Sequence, residues 1–225
     1  RRNPDITSID LIGPSMGGLV SRSALFYSKQ NIHSWMHRVE NLVCLGLPQH
    51  VAVLERLGFS LQRNLRHIPL GKIFGHIANI RSNGILDLRY GSVRDDDWEH
   101  NNIRIGLIDD NRKPAPLPSH INTYLVAGTI EFPHRKNRTR QAIGDYLVSV
   151  KSALGEHPNV RYQLKVPEAH KAIFYGINHF DIHHHPLVAE QIVHWFYPNA
   201  EDLKRTQIHE VLMDFISLDG IALTS

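Results

Sequence analysis

The sequence predicts an α/β fold in which a mostly parallel β-sheet is covered by helices. Short apolar runs of strand type alternate along the chain with amphipathic helical stretches. One of these runs is apolar at nearly every position, as expected for a strand that is buried on both faces. The first run is joined to a helix through a glycine-rich turn. With 225 residues, of which 42% are apolar, the chain can build one sizeable core.

The N-terminal part predicts a strand, a tight turn, a helix and a second strand. Residues Ile6–Ile12 combine β-branched and apolar side chains, and Gly13 ends the run. A helical stretch, Leu19–Ser28, follows the turn. The next run, Val39–Leu47, is apolar almost throughout and stops at Pro48, which predicts a fully buried strand of a parallel sheet.

The middle of the chain interrupts this alternation. Between residues 49 and 120 the regular pattern gives way to short helical pieces, glycines and an acidic cluster, and the segment ends in the proline-rich Pro114–Pro118. Long irregular segments of this kind are often functional insertions. We therefore expect a cap or lid that is inserted into the core and ends in a stiff linker.

Regular alternation resumes after the insertion. We predict strands at Ile121–Gly128 and Tyr162–Val166, with a helix near Val148–Leu154 between them. A further amphipathic helix is predicted at Leu187–Phe196, since Pro186 is well suited to the first helical position.

The tail beyond residue 198 carries apolar residues at helical spacing, which predicts an added helix. The predicted organisation is a core of residues 1–48 and 121–198, a cap of residues 49–120, and a C-terminal helical extension of residues 199–225.

Composition argues against several classes of function. The formal net charge is +3, and 25 Lys and Arg residues are dispersed among 22 Asp and Glu residues, which argues against a nucleic-acid partner. The basic run His134–Arg140 could meet an anionic head group or a membrane surface, but a solvated loop is the expected interpretation. The single cysteine, Cys44, cannot form an intramolecular disulfide. No run approaches the roughly 20 apolar residues of a transmembrane helix, so we expect a soluble protein, with the cytoplasm favoured. The pattern indicates no oligomeric state.

The segment Gly13-Pro14-Ser15-Met16-Gly17 carries the clearest chemistry. A predicted strand precedes it and a predicted helix follows it, which is the context of a nucleophile elbow. Such a turn crowds its own backbone, so the positions two before and two after the serine must be very small, as Gly13 and Gly17 are. The turn holds the Ser15 hydroxyl clear of the backbone as a nucleophile. The N–H of Met16, at the start of the helix, would form part of an oxyanion hole.

Candidates for the acid and the base follow in the chain order of α/β enzymes with such a turn. Asp145 lies in a glycine-led turn after the strand Ile121–Gly128, and His179 lies between apolar neighbours after the strand Tyr162–Val166. Asp145 would orient His179, which would take the proton of Ser15. Other residues compete for these roles, namely His183, His184 and His185 for the base, and Asp109, Asp110 and Asp181 for the acid.

The three consecutive histidines at 183–185 also raise the question of a metal site. Adjacent side chains point in divergent directions, and the sequence contains no zinc-type pairing such as H-E-x-x-H. We therefore expect a solvated polar loop there, with no metal and no cofactor.

Four stretches resemble the lipase and esterase branch of the α/β-hydrolase superfamily, and within it bacterial hydrolases similar to GPI inositol-deacylases. They are residues 13–20, 42–50, 144–148 and 177–182. The resemblance implies an ester or lipid-like substrate and a triad of Ser15, Asp145 and His179 that works through an acyl-enzyme intermediate. The sequence departs from the pattern of that family at Pro14, Leu47, Gln49 and Val51.

The resemblance also implies several strands before the elbow strand, and a second oxyanion N–H from a loop among them. Only residues 1–5 precede the first predicted strand. We therefore expect the chain to carry the C-terminal portion of the fold, with the N-terminal strands missing. The leading interpretation is a carboxylic-ester hydrolase, and the alternative is a catalytically silent fragment or pseudoenzyme with a binding role.

Overall fold

A computed structural model of the chain describes residues 6–49, 93–97, 113–131, 144–145 and 147–198. Within these residues, four strands form one parallel sheet in the order β1-β2-β3-β4. The strands are β1 (Ile9–Pro14), β2 (Val39–Leu45), β3 (Asn122–Thr129) and β4 (Lys171–Tyr175). The α-helices of the described residues are α1 (Gly17–Gln30), α2 (Val150–Ala153) and α3 (Pro186–Phe196). The predicted parallel α/β architecture is confirmed.

The two central strands are buried on both faces of the sheet. Successive side chains of a strand point to opposite faces, and here they enter two different apolar clusters. Cys44 and Leu125 belong to the cluster that contains residues of α1 and α2. Val43 and Val126 belong to the cluster that contains residues of α3. The nearly continuous apolar composition of β2 follows from this double burial.

Helices α1 and α3 form where the sequence predicts them. Helix α1 begins at Gly17, two residues before the predicted start at Leu19. Helix α3 has Pro186 at its first position, and the side chain of His185 accepts a hydrogen bond from the backbone N–H of Leu187. Proline lacks the N–H that would otherwise be left without a helical acceptor there, so this start is favourable.

The prediction of a strand at Tyr162–Val166 is wrong. Residues Val160–Tyr162 form a short 3-10 helix, and the fourth strand lies later, at Lys171–Tyr175. Leu164 and Val166 are buried, which explains the alternating pattern, but the N–H of Leu164 donates to the carbonyl of Gly155 rather than to a strand. The helix predicted near Val148–Leu154 is present only as the four residues of α2.

Most of the predicted cap, the basic run His134–Arg140 and the predicted C-terminal helix lie outside the described residues. The proline-rich end of the predicted cap is described, and it packs against the core. There Ala115 is buried, and its carbonyl accepts a hydrogen bond of 3.1 Å from the guanidinium of Arg22 on α1. In the described part of the chain, no helix combines the length and apolar character needed to cross a bilayer.

Candidate active site

The candidate site lies at the carboxyl ends of the four strands. Ser15 directly follows β1, Gly46 directly follows β2, Asp145 lies in the connection after β3, and His179 follows β4. In open parallel sheets, ligands bind in crevices beyond the carboxyl ends of the strands. The topology therefore brings side chains from distant parts of the sequence to one edge of the sheet.

Ser15 occupies the sharp turn between β1 and α1. Its φ angle is +49°, in the left-handed region that residues with a side chain rarely adopt. The backbone N–H of Ser15 donates a hydrogen bond of 2.7 Å to the carbonyl of Leu45, the last residue of β2. Backbone strain of this kind persists only where the surroundings hold it, and it clusters at functional sites. The neighbouring strand thus helps to hold the turn.

The glycines of the elbow are required to different degrees. A Cβ atom on Gly13 would lie 2.6 Å from the backbone nitrogen of Gly18 and 2.7 Å from the carbonyl carbon of Gly17, so no side chain fits. A Cβ atom on Gly17 would meet only Cδ of Pro14, at 3.3 Å. A Cβ atom on Gly18 would lie 2.8 Å from the side chain of Leu47. Gly13 and Gly18, more than Gly17, therefore allow α1 to approach the sheet.

Met16 precedes the first residue of α1 and has helical φ and ψ angles of −59° and −22°. Its carbonyl accepts hydrogen bonds from the N–H groups of Leu19 and Val20, at 2.9 and 3.1 Å. Its own N–H belongs to the first turn of the helix, where partial positive charge collects. The position suits a donor to a developing oxyanion, and that role of Met16 remains a prediction.

Asp145 is fully buried in a turn that requires glycine at its first position. Gly144 has φ of +81°, and a Cβ atom there would lie 1.9 Å from the carbonyl oxygen of Val148. Oδ1 of Asp145 accepts hydrogen bonds from the backbone N–H groups of Leu147 and Val148, at 3.0 and 2.8 Å. These two donors fix the carboxylate and leave its second oxygen for another partner.

That partner is His179, which is 1% exposed. Its Nδ1 lies 2.7 Å from Oδ2 of Asp145, and its Nε2 lies 2.8 Å from Oγ of Ser15. The backbone N–H of His179 also donates to the carbonyl of Asp145, at 2.9 Å. The structure therefore brings together the three residues that the sequence analysis singled out. An imidazole held in this way can accept the proton of a serine hydroxyl.

The rival candidates occupy other positions. His183 packs edge-on against the ring of His179, with the ring centroids 5.5 Å apart. His184 is exposed and lies 3.9 Å from a carboxylate oxygen of Asp181, while His185 caps α3. Asp181 itself accepts a hydrogen bond from the side chain of Asn178. Asp109 and Asp110 fall outside the described residues. Within the described ranges, no group of three or more His, Cys, Asp or Glu residues is placed to hold a metal ion.

Two further residues near the site have structural roles. Burial raises the pKa of the Cys44 thiol to about 12, against the opposing effect of the Arg22 charge, so Cys44 is no nucleophile at neutral pH. Gln49, which departs from the pattern of the resembled family, is buried, and its side-chain oxygen accepts a hydrogen bond from Arg22. This departure is thus accommodated beside α1, while Val51 lies outside the described residues.

Gly46 was not among the predicted site residues, although it lies in one of the four resembling stretches. Its φ angle is +62°, and a Cβ atom there would touch both His179 and Asp145. A glycine directly after a buried parallel strand was a signal that could have identified it, because that position lies at the edge of the sheet where ligands bind.

The parallel sheet, its flanking helices and the match to a hydrolase-type family define an α/β-hydrolase-like protein. The family model that matches is the PGAP1-like alpha/beta domain, over residues 1–157, more than half of the chain, and the chain therefore belongs to this family. Ser15 and Asp145 lie inside the matched range, whereas His179 lies beyond it. Neither a curated protein nor a solved structure matches the chain significantly.

Proposed function

We propose that this protein is a serine hydrolase that cleaves carboxylic esters, with Ser15 as the nucleophile, His179 as the general base and Asp145 as the residue that orients it. The observation that carries the proposal is the chain of two short contacts, 2.8 Å from Ser15 Oγ to His179 Nε2 and 2.7 Å from His179 Nδ1 to Asp145 Oδ2. Membership of a hydrolase-type family supports it.

The hydrogen bonds around Asp145 favour the tautomer of His179 that this chemistry needs. Oδ1 of the carboxylate already accepts two backbone N–H groups, and Oδ2 faces Nδ1 of His179. A carboxylate only accepts hydrogen bonds, so the proton of a neutral imidazole belongs on Nδ1. Nε2 is then free of a proton and can accept the one on the Ser15 hydroxyl.

In the first half of the proposed reaction, Ser15 Oγ attacks the carbonyl carbon of the ester, and its proton passes to Nε2 of His179. The negative charge that develops on the carbonyl oxygen is stabilised in part by the N–H of Met16. When the tetrahedral intermediate collapses, the bond to the alcohol breaks and His179 gives its proton to the departing alcohol. The acyl group remains on Ser15.

In the second half, His179 takes a proton from a water molecule, whose oxygen attacks the acyl carbon. Collapse releases the carboxylic acid and returns the proton to Ser15. No cofactor takes part in this proposed sequence. The resemblance of the four sequence stretches to inositol-deacylase-like hydrolases favours an ester in a lipid-like molecule as the substrate.

The test is to compare the chain with its Ser15→Ala variant on p-nitrophenyl esters of graded acyl length. We expect hydrolysis to fall to background in Ser15→Ala, because no other hydroxyl replaces the nucleophile. The matched control is Ser23→Ala, which removes the hydroxyl of a partly buried serine on α1. This variant should keep the activity of the unmodified chain. Unchanged hydrolysis by Ser15→Ala would refute the assignment.

A fluorophosphonate probe distinguishes the proposed hydrolase from a catalytically silent binding protein. Activated serines react with such probes, so we expect stoichiometric labelling of Ser15 in the unmodified chain and in Ser23→Ala, and none in Ser15→Ala. If the folded chain is not labelled at Ser15, the silent alternative holds.

A further inference from the structure

Gly46 is the residue after β2, and it is buried at the point where the candidate acid and base meet. Its φ angle of +62° lies in the left-handed region. Its N–H donates a hydrogen bond of 2.9 Å to the carbonyl of Val126 on β3. The backbone here is therefore held by the neighbouring strand in a conformation that favours glycine.

The space that a side chain at position 46 would enter is bordered by both His179 and Asp145, which are hydrogen-bonded to each other. A Cβ atom on Gly46 would lie 3.1 Å from Cε1 and 3.2 Å from Nδ1 of His179, and 3.3 Å from Oδ2 of Asp145. Contacts in this range are tighter than nine in ten real contacts of a Cβ atom, so the neighbouring atoms must shift by a few tenths of an ångström. A single methyl group would thus press on the two atoms that form the 2.7 Å hydrogen bond.

Neither partner can easily move away. Asp145 is held by the backbone N–H groups of Leu147 and Val148. The backbone N–H of His179 donates a hydrogen bond to the carbonyl of Asp145, so the two residues are also held together by their backbones.

We infer that Gly46 is a positioning residue, whose missing side chain leaves the space in which His179 keeps contact with both Asp145 and Ser15. A side chain at position 46 moves the imidazole by a few tenths of an ångström and lengthens at least one of its two hydrogen bonds. The inference rests on the proposed function for its effect on rate. A 1 Å misplacement of a catalytic group can cost on the order of 100-fold in rate, so for this smaller shift we expect Gly46→Ala to lower kcat by roughly 10-fold, with little change in KM.

The matched control is Gly155→Ala. Gly155 also has a positive φ, +69°, and a Cβ atom there would crowd Leu164, at 2.6 Å. Both variants place alanine in a left-handed conformation and in a tight space, but only position 46 adjoins the site. We therefore expect Gly155→Ala to lose stability and to keep kcat per folded molecule, measured on the same p-nitrophenyl ester.

A spectroscopic readout separates positioning from folding. The proton between Nδ1 of His179 and Oδ2 of Asp145 should give a low-field proton resonance in the folded chain. We expect Gly46→Ala to shift or lose this signal, and Gly155→Ala to keep it. A folded Gly46→Ala variant with unchanged kcat and an unchanged signal would overturn the inference.

A second pair of variants tests the inference without activity. If Gly46→Ala alone fails to fold, the variant that combines it with His179→Ala should still fold and show a thermal unfolding transition. Removal of the imidazole in His179→Ala makes room for the new methyl group. We expect Gly46→Ala to lower the midpoint of thermal unfolding less in the His179→Ala background than in the unmodified chain. Equal losses in both backgrounds would overturn the inference. Failure of the proposed function would appear separately, as absence of fluorophosphonate labelling in the unmodified chain.

Discussion

The two halves of the candidate site are held in place by different kinds of contact. Ser15 belongs to one continuous segment in which β1, a turn and α1 follow each other directly, and the serine is partly exposed. Asp145 and His179 are separated by 34 residues along the chain, and their side chains are 1% and 2% exposed. The nucleophile is thus positioned locally, whereas the acid and base are positioned by tertiary packing.

Because of this difference, substitutions at Ser15 and at Asp145 should affect activity and stability to different degrees. The Ser15 side chain projects from a turn that is held by backbone contacts, so its hydroxyl can be removed with little effect on the fold. The carboxylate of Asp145 accepts hydrogen bonds from two N–H groups of its own turn as well as from His179, so a change there affects both the fold and the reaction. Substitutions in the two halves should therefore give different combinations of lost activity and lost stability.

After Ser15→Ala, the largest effect is expected from Asp145→Asn. If the amide oxygen keeps the two backbone N–H groups, the amide nitrogen faces His179 and donates to Nδ1, which forces the proton of the imidazole onto Nε2. Nε2 then cannot accept the proton of Ser15. We expect kcat to fall by roughly 10⁴-fold, the size seen when a triad imidazole is held in the wrong tautomer. The measurement is steady-state hydrolysis of a p-nitrophenyl ester.

The control for this variant is Asp181→Asn, which changes a half-exposed carboxylate two residues after His179. Asp181 bonds Asn178 and faces His184, but no described contact joins it to Ser15 or His179. We expect its rate to stay within a few-fold of the unmodified chain. If Asp181→Asn loses as much activity as Asp145→Asn, the acid has been assigned to the wrong residue.

The same division between local and tertiary contacts explains how far the sequence predicts this structure. The strands β1, β2 and β3 and the helices α1 and α3 were predicted because periodicity, glycine and Pro186 are local signals. The prediction of a strand at Tyr162–Val166 was wrong because alternating burial also occurs where a segment places every second side chain in the core without pairing to a strand. The true strand β4 is half-exposed, so its pattern is weak.

Within the candidate site, Ser15 could be predicted from the elbow pattern, and Asp145 and His179 from their order along the chain. Their roles remain predictions, although the structure brings the three together. The position of Gly46 after a buried strand marks it as near the site, but the contacts that require glycine there arise only when the ends of β2, β3 and β4 meet. The different needs of Gly13 and Gly17 were likewise invisible, since the elbow pattern treats the two positions alike.

A smaller effect, on the free energy of unfolding, is expected from Gly13→Ala in the segment that positions Ser15. The new methyl group would meet backbone atoms of α1 at 2.6 to 2.8 Å, and these atoms can retreat only if the helix moves away from β1. Overpacking of this kind costs about 1–3 kcal/mol. Gly17→Ala is the matched control, because its nearest contact is 3.3 Å and alanine favours the helix. Urea unfolding should show a lower free energy of unfolding for Gly13→Ala and no decrease for Gly17→Ala. Equal decreases would show that the two glycines do not differ in this way.

The smallest effect on the free energy of unfolding is expected from Ser149→Ala, near the turn that holds Asp145. The Ser149 side chain caps α2 by accepting a hydrogen bond of 3.3 Å from the N–H of Ser152, and α2 directly follows the turn that holds Asp145. Loss of such a cap costs about 1 kcal/mol. We expect this loss in urea unfolding, together with a kcat close to that of the unmodified chain, because the carboxylate is held by the turn itself and not by the helix. The exposed Ser119→Ala is the control and should change neither quantity. A large fall in kcat for Ser149→Ala would show that α2 also positions the acid.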